Sequence, residues 1–234
     1  MSNIIVTGGS SGIGKCLVER LRFDGHNICN LDKNINGKFG CIYCDITNFN
    51  QLELIAKYFG DVDIIINNAG INHIDWIENI HEKDFDAVMD VNVKGIFNTT
   101  KAFMEQLIES KGTILNIVSN ASHMPMTNSI AYNASKGAAH IMTLQMSREL
   151  GPKGITVFGI SPNRVKNTAM SDYIDSRVCD LRGWTPEFAR EYQLKALPAG
   201  EETDPETLAE FIAFILSTKQ RHKYLAGTVI PYGK

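Results

Sequence analysis

The chain opens MSNIIVTGGSSGIGKC over residues 1–16, and two different phosphate loops can be read in it. From Gly9 it spells Gly-x4-Gly-Lys, a triphosphate loop with Cys16 where Ser or Thr belongs. From Gly8 it spells Gly-x3-Gly-x-Gly, a dinucleotide turn. Context decides between them. NIIVT reads as a strand and a helical pattern follows the glycines, which is the setting a dinucleotide turn requires. Glycine supplies positive φ and close backbone approach, and the helix N-terminus receives the pyrophosphate. The next strand ends in Leu31-Asp32, where a carboxylate is placed to accept hydrogen bonds from ribose hydroxyls. The triphosphate reading has no metal site. A thiol at Cys16 is a poor ligand for Mg²⁺, and the apolar run DIIIN ends in Asn67-Asn68 rather than Asp. Lys15 is then an exposed residue of the first helical turn.

At 234 residues the chain fits one large α/β domain or two small ones, and it can bury a core without staples. The net charge of −3 comes from mixed acids and bases, so neither nucleic acid nor an anionic membrane is indicated as a partner. No apolar run approaches the ~18–20 residues of a membrane span, and no secretory signal opens the chain. Five cysteines at 16, 29, 41, 44 and 179 suggest reduced thiols and a cytoplasmic setting. Cys41 and Cys44 lie in the strand-like run FGCIYCDI without further ligands nearby, so they read as ordinary buried thiols and no metal is expected.

Outward from the loop, short apolar runs alternate with helical patterns. NIIVTG, HNICNLD, CIYCD, VDIIINNAG, TILNIVS, ITVFGIS and TVIP read as strands. Runs without alternation, such as DIIIN and ILNIV, suit a parallel sheet buried on both faces. Helices are expected over residues 11–25, 48–58, 81–110 and 130–151, and one starting at Asp204-Pro205-Glu206. The pattern is a Rossmann-type α/β fold: a doubly wound parallel sheet of about seven strands, with helices on both faces, in a single domain over 1–234. Residues 168–199 interrupt the alternation with two helical segments and are a candidate substrate flap.

The chemistry sits in Tyr132-Asn-Ala-Ser-Lys136. Four-residue spacing on a helix puts Tyr132 beside Lys136. A nearby ammonium favours phenolate and lowers the tyrosine pKa, so the phenol can exchange a proton with an alcohol or ketone. Such pairs are common as solvated helix neighbours, but Ser119 ends the strand TILNIVS, where ligands of a parallel sheet bind.

Together these residues resemble the short-chain dehydrogenase/reductase family, in its short single-domain branch. TGGSSGIG (residues 7–14) is similar to that family's cofactor turn, and Asn67-Asn68-Ala69-Gly70 to its NNAG motif. Asn92 in MDVNVKG, Ser119, Tyr132 and Lys136 match its catalytic tetrad in order and spacing. The run PETLAEFIAFILSTKQRHKYLAGTVI resembles its last helix and strand. The resemblance implies Tyr132 as acid/base, Lys136 as modulator and ribose ligand, Ser119 as orienter of the substrate oxygen, and Asn92 as holder of a relay water. It further implies cofactor contacts from the turn residues Thr7, Gly8, Ser10, Ser11, Gly12, Ile13 and Gly14. Asp32 and Lys33 follow at the ribose, Asp45 and Ile46 at the adenine, and Asn68, Ala69 and Gly70 beside the turn. Tyr132 and Lys136 are shared with the catalytic set, and Pro162, Val165 and Thr168 close the cofactor list.

Asp32 favours NAD over NADP, because a carboxylate there repels the extra phosphate; Lys33 would soften the preference. In SPNRVKNTAM, Asn163 replaces the family's Gly, and Thr168 comes one residue late. Asn tolerates positive φ, so the turn can survive. Arg164 and Lys166 read as solvent-exposed. Pro231 in the last strand points to a sheet edge. Substrate contacts are expected from Ser119, His123, Tyr132 and Tyr173, with Ala121, Met124, His73, Trp76, Met170 and Trp184 as further candidates. The expectation is an oxidoreductase moving a hydride between a nicotinamide cofactor and a secondary alcohol/ketone pair, in a homodimer or homotetramer packed through the helices near 85–110 and 130–150. The alternatives are an NADPH-dependent 3-oxoacyl thioester reductase, a sugar or polyol dehydrogenase, and a dinucleotide-binding redox sensor without turnover.

Overall fold

The fold is taken from a computed structural model that describes residues 1–35, 40–218 and 222–233. The apolar runs form β1 (Asn3–Thr7), β2 (Asn27–Asp32), β3 (Cys41–Tyr43), β4 (Ile64–Asn67), β5 (Thr113–Ile117), β6 (Thr156–Pro162) and β7 (Val229–Tyr232). All pairs are parallel, in the order β3-β2-β1-β4-β5-β6-β7. Residue 39 of the run read as the third strand, and residues 219–221 of the terminal run, lie outside the described residues.

The unbroken apolar strands have a direct packing reason. Ile4 and Val6 of β1 enter one core with Leu17 and Leu21 of α1 (Gly12–Phe23) and Leu208 and Ile212 of α9 (Pro205–Leu216). Ile5, between them, enters the opposite core with Leu52 of α2 (Phe49–Tyr58) and Leu107 of α5 (Met104–Ser110). Each face of the sheet therefore needs its own apolar set, as a doubly covered parallel sheet requires. Truncating one of these side chains to Ala would cost about 2–5 kcal/mol. Pro231 lies in β7, at the sheet edge, as its missing N–H demands.

One expected element is corrected. The helix read over 81–110 is three pieces: α3 (Glu82–Met89), a π turn over Asp90–Lys94 leading into α4 (Gly95–Ala102), and α5. The break falls at Phe103. That side chain is fully buried and meets the Phe59 ring edge-on at 5.9 Å. α6 (Ile130–Leu150) runs unbroken, and its buried stripe of Ala131, Ser135, Lys136, Ala139 and Thr143 is narrow enough to lie close to the sheet. Between β6 and α9 the chain forms α7 (Ala169–Arg182) and α8 (Pro186–Lys195), the two helices expected there, each N-capped by a threonine, Thr168 and Thr185. All five cysteines are free; Cys29 and Cys44 are buried, but Cys41 is only half-buried and accepts a hydrogen bond from Asn30. Among the described residues no helix is long and apolar enough to cross a membrane, and no group of residues could hold a metal ion.

Candidate active site

Strand order reverses between β1 and β4, and a cleft of about 1150 Å³ opens at their carboxyl ends. One flank is the glycine turn. Gly8 has φ 68°, and a Cβ there would come within 2.8 Å of the Ala69 Cα. A Cβ on Gly14 would lie 2.2 Å from the Gly8 carbonyl oxygen, so the helix can sit against the turn only without a side chain. Thr7 Oγ1 accepts from the Asn68 and Ala69 N–H groups, both at 3.1 Å. The Asn68 side chain donates back to the carbonyls of Thr7 and Gly8, both at 3.0 Å.

Three expected cofactor residues, Thr7, Ser10 and Gly14, therefore build the turn rather than line the cleft. Ser10 Oγ donates to the Asn34 carbonyl at 2.5 Å. Gly8, Ser11, Gly12, Ile13, Asn68, Ala69 and Gly70 do line it. Ser11 caps α1 without a side-chain bond and the first turn holds no acid, so its N–H groups face the cleft without a competing carboxylate. This arrangement, with the close approach at Gly8 and Gly14, fits a dinucleotide pyrophosphate.

Asp32 lies at the end of β2, with Oδ2 accepting from the Ser10 N–H and Oδ1 from the Asn34 N–H, both at 2.9 Å. Lys33 Nζ pairs with Asp45 at 3.1 Å. Burial works against the Asp45 charge, but hydrogen bonds from Thr47 and the Lys33 ammonium outweigh it and hold the carboxyl below its usual range. Lys33 thus braces the expected adenine side instead of facing the Asp32 carboxylate alone. Ile46 is fixed from α4, where Asn98 donates to its carbonyl at 3.0 Å.

Ser119, Tyr132 and Lys136 come together at the other flank. Ser119 Oγ accepts from the Ala121 N–H at 3.2 Å and lies beside the Tyr132 hydroxyl, whose acidity it favours. Lys136 is 4% exposed; its Nζ donates to the Ile117 carbonyl at 2.9 Å and lies 5.7 Å from the Tyr132 ring centroid. Burial pushes the ammonium down to about 8. The tyrosine departs from expectation. Burial raises its pKa, and the Ser119 hydroxyl only partly opposes this. Asn92 is fully buried in the π turn. Its Oδ1 accepts from the Ile71 N–H, and its Nδ2 donates to the Ile71 carbonyl and to Ser135 Oγ, all at 2.9 Å. The side chain is thereby committed to protein partners, and a water would have to be held by its backbone.

The loop after β6 resolves the spacing slip. Asn167 adopts φ 57°, the left-handed region, and takes up the additional residue. Thr168 then caps α7 by accepting from the Ser171 N–H at 3.0 Å, and it lines the cleft with Pro162 and Val165. Asn163 needs no positive φ; its side chain donates to the Gly233 carbonyl at 2.8 Å instead. Arg164 is corrected from exposed to largely buried. Its guanidinium pairs with Glu202 and, at 2.5 Å, with Asp175 of α7. Lys166 is 41% exposed and pairs with Asp204 at 3.4 Å.

α7 roofs the substrate flank. Tyr173 Oη accepts from the Ile74 N–H at 3.2 Å, Arg177 pairs with Asp75 at 2.8 Å, and Arg182 donates to Asn128 Oδ1 at 3.3 Å. Tyr173, Met170, Trp184, Ala121 and Met124 line the cleft. His123 does not: it is exposed and bonded to Ser122, and His73 and Trp76 also lie off the wall. Sequence reading missed Asn30, whose Oδ1 holds the Gly9 N–H at 2.7 Å; the signal was a polar residue inside the buried strand NICNLD.

The comparisons agree with this geometry. A family profile described as short chain dehydrogenase matches residues 2–178. The chain belongs to that family, NAD(P)-dependent oxidoreductases acting on CH–OH and carbonyl groups. It is 29% identical over 244 residues to a 3-oxoacyl-(acyl-carrier-protein) reductase of Thermotoga maritima, covering 97% of this chain and 94% of that one. It is 28% identical over 249 residues to glucose 1-dehydrogenase 2 of Bacillus subtilis, covering 97% and 91%. Among solved structures, an NAD⁺-bound xylitol dehydrogenase superposes with a TM-score of 0.91 at 25% identity, covering 100% of this chain and 98% of that one.

Proposed function

We propose that the protein is an NAD(H)-dependent oxidoreductase of a small secondary alcohol and its ketone, with Tyr132 as acid/base. One observation carries the reading: the Tyr132–Ser119 pair and the Asp32 carboxylate border the same cleft. They are separated by the three strand spacings from β2 to β5, about 14 Å. That is the span of an extended dinucleotide with its reactive ring beside the tyrosine.

When bound, the nicotinamide dinucleotide supplies the hydride acceptor or donor. Ser119 directs its hydroxyl at the substrate oxygen. Tyr132 takes the proton of the alcohol during oxidation and returns it to the ketone oxygen during reduction. Lys136, placed by Ile117, binds the nicotinamide ribose and carries positive charge below about pH 8, which favours phenolate once substrate excludes water. Asn92 holds the turn after β4 through Ile71 and supports α6 through Ser135; its backbone carries the relay water. At the far flank, Asp32 accepts from the adenosine ribose hydroxyls and disfavours the 2′-phosphate of NADP, while Asp45 and Ile46 border the adenine.

The free thiols fit a cytoplasmic setting. A homodimer or homotetramer would assemble through α4 and α6, which leave Phe97 and Ile141 48% and 64% exposed. The segment 168–199 acts as the flap of a single 1–234 domain. A second reading is reduction of a 3-oxoacyl thioester with NADPH; its substrate half is favoured by the 3-oxoacyl-(acyl-carrier-protein) reductase of Thermotoga maritima.

The test is nicotinamide absorbance with NAD⁺ and NADP⁺ in parallel, over secondary alcohols, polyols, hydroxysteroids and hydroxyacyl thioesters. Reduction of NAD⁺ by a small alcohol supports the first reading. NADP⁺ reduction confined to the thioesters selects the second. Tight NADH binding without turnover on any class returns the protein to the sensor alternative.

A further inference from the structure

The segment that leads from Ser119 to α6 forms one wall of the substrate flank, yet its regular structure is a single 3₁₀ turn over Asn120–Ser122. A side chain of α6 holds it in place. Asn133, next to Tyr132, donates from Nδ2 to the carbonyls of Ala121 (2.7 Å) and Met124 (2.8 Å). Its Oδ1 accepts the Met126 N–H at 3.4 Å. Ala121 is in turn bonded through its own N–H to Ser119 Oγ. The buried Ala121 is therefore gripped from both sides, by Asn133 at its carbonyl and by the Ser119 hydroxyl at its N–H.

We infer that Asn133 is a positioning residue for the reaction, and one that helps set alcohol selectivity. Through Ala121 it fixes where the Ser119 hydroxyl stands against Tyr132. Through Met124 and Met126 it fixes the apolar wall that faces Met170 and Tyr173 of the flap. The inference rests on the proposed roles of Ser119 and Tyr132.

The residue type follows from the partners. Two carbonyls and one N–H need two donors and one acceptor in a short planar group, which is an asparagine side chain. Aspartate keeps the shape but turns acceptor oxygens toward two carbonyl oxygens. Alanine leaves those carbonyls without their donor. Neither change touches the glycine turn or Asp32, so the cofactor flank should not register it.

The experiment compares wild type, Asn133→Asp and the milder Asn133→Ser, which keeps one donor, with Tyr132→Phe as control. Steady-state oxidation is measured with the best alcohol of the panel and with one bulkier and one smaller relative. NADH affinity is measured by fluorescence titration. Misplacement of the serine and the wall should lower kcat/KM by about ten- to a hundredfold in Asn133→Asp, with a smaller loss in Asn133→Ser. The ratio of kcat/KM between the bulky and small alcohols should change, and NADH affinity should stay within about twofold of wild type. A purely structural role would lower melting temperature and active fraction but leave KM and the alcohol ratio as in wild type; that result overturns the inference. An inactive wild type, or full activity in Tyr132→Phe, would instead overturn the reading on which it rests.

Discussion

The two flanks of the cleft are held by different kinds of interaction. Around the glycine turn the bonds join buried and part-buried backbone, amide and hydroxyl groups. Gly9 is bonded to Asn30, Thr7 to Asn68 and Ala69, and both Thr7 and Asn30 are 1% exposed. Over the substrate flank the roof is held by part-buried side-chain contacts, with Arg177 on Asp75, Arg182 on Asn128 and Tyr173 on Ile74. A buried amide network costs the full desolvation of its groups when broken, whereas an exposed ion pair is worth about 0–1 kcal/mol. On the proposed reading the cofactor flank is preformed and these three contacts yield at small cost, while Arg164 still anchors α7 through Asp175. This division fits the flap proposed for residues 168–199.

Lys136 sits where the two flanks meet, and its replacement should have the largest effect. Lys136→Met should lower turnover by about a hundred- to ten-thousandfold. It should also change stability in a way that other site variants do not. The folded ammonium titrates near 8, below its ordinary 10.5, so the folded state loses its proton first. Through Lys136 alone, wild-type stability should gain up to about 3 kcal/mol between about pH 8 and 10.5, a rise set against the fall that the raised Cys29 and Cys44 thiols bring above pH 9. In Lys136→Met the rise should vanish. Thermal melts across that range check it, and an unchanged rise in the variant would assign the effect elsewhere.

Asp32→Ala should act on the cofactor flank alone. The ratio of kcat/KM for NAD⁺ over NADP⁺ should fall on the order of tenfold, about 1.4 kcal/mol, with KM for the alcohol unaffected. A matching change in alcohol KM would show that the flanks are coupled more tightly than their bonding suggests. The smallest effect belongs to the roof. Arg177→Ala should change alcohol KM by about two- to fivefold, and added salt should reproduce part of that change in the wild type. A collapse of activity in Arg177→Ala would contradict a cheaply opened roof.

The same contrast explains what could be read from sequence. The turn at Gly8–Gly14, the carboxylate at Asp32 and the Tyr132–Lys136 spacing were legible because backbone geometry and helical period demand those residues at those intervals. The sheet was legible because both its faces need apolar side chains at every strand position, as Ile4 and Ile5 illustrate. The roof was not, since an ion pair such as Arg177–Asp75 joins residues far apart in sequence and has no local pattern. Arg164 looked like a loop cation for the same reason; its partners Glu202 and Asp175 come from other segments. The break at Phe103 was hidden because no Gly or Pro marks it; its side chain is instead buried against Phe59. The late Thr168 was absorbed by one left-handed residue, Asn167, which sequence alone could suggest but not locate.

The central claim, that Tyr132 carries the proton in hydride exchange, is tested most directly by Tyr132→Phe with cofactor binding and turnover measured on the same preparation. Loss of the hydroxyl removes the group beside Ser119 and leaves the glycine turn intact. Turnover should fall about a hundred- to ten-thousandfold while NADH affinity stays within about twofold of wild type. Undiminished turnover in Tyr132→Phe would contradict the account, because the proposed mechanism gives the proton to the Tyr132 hydroxyl.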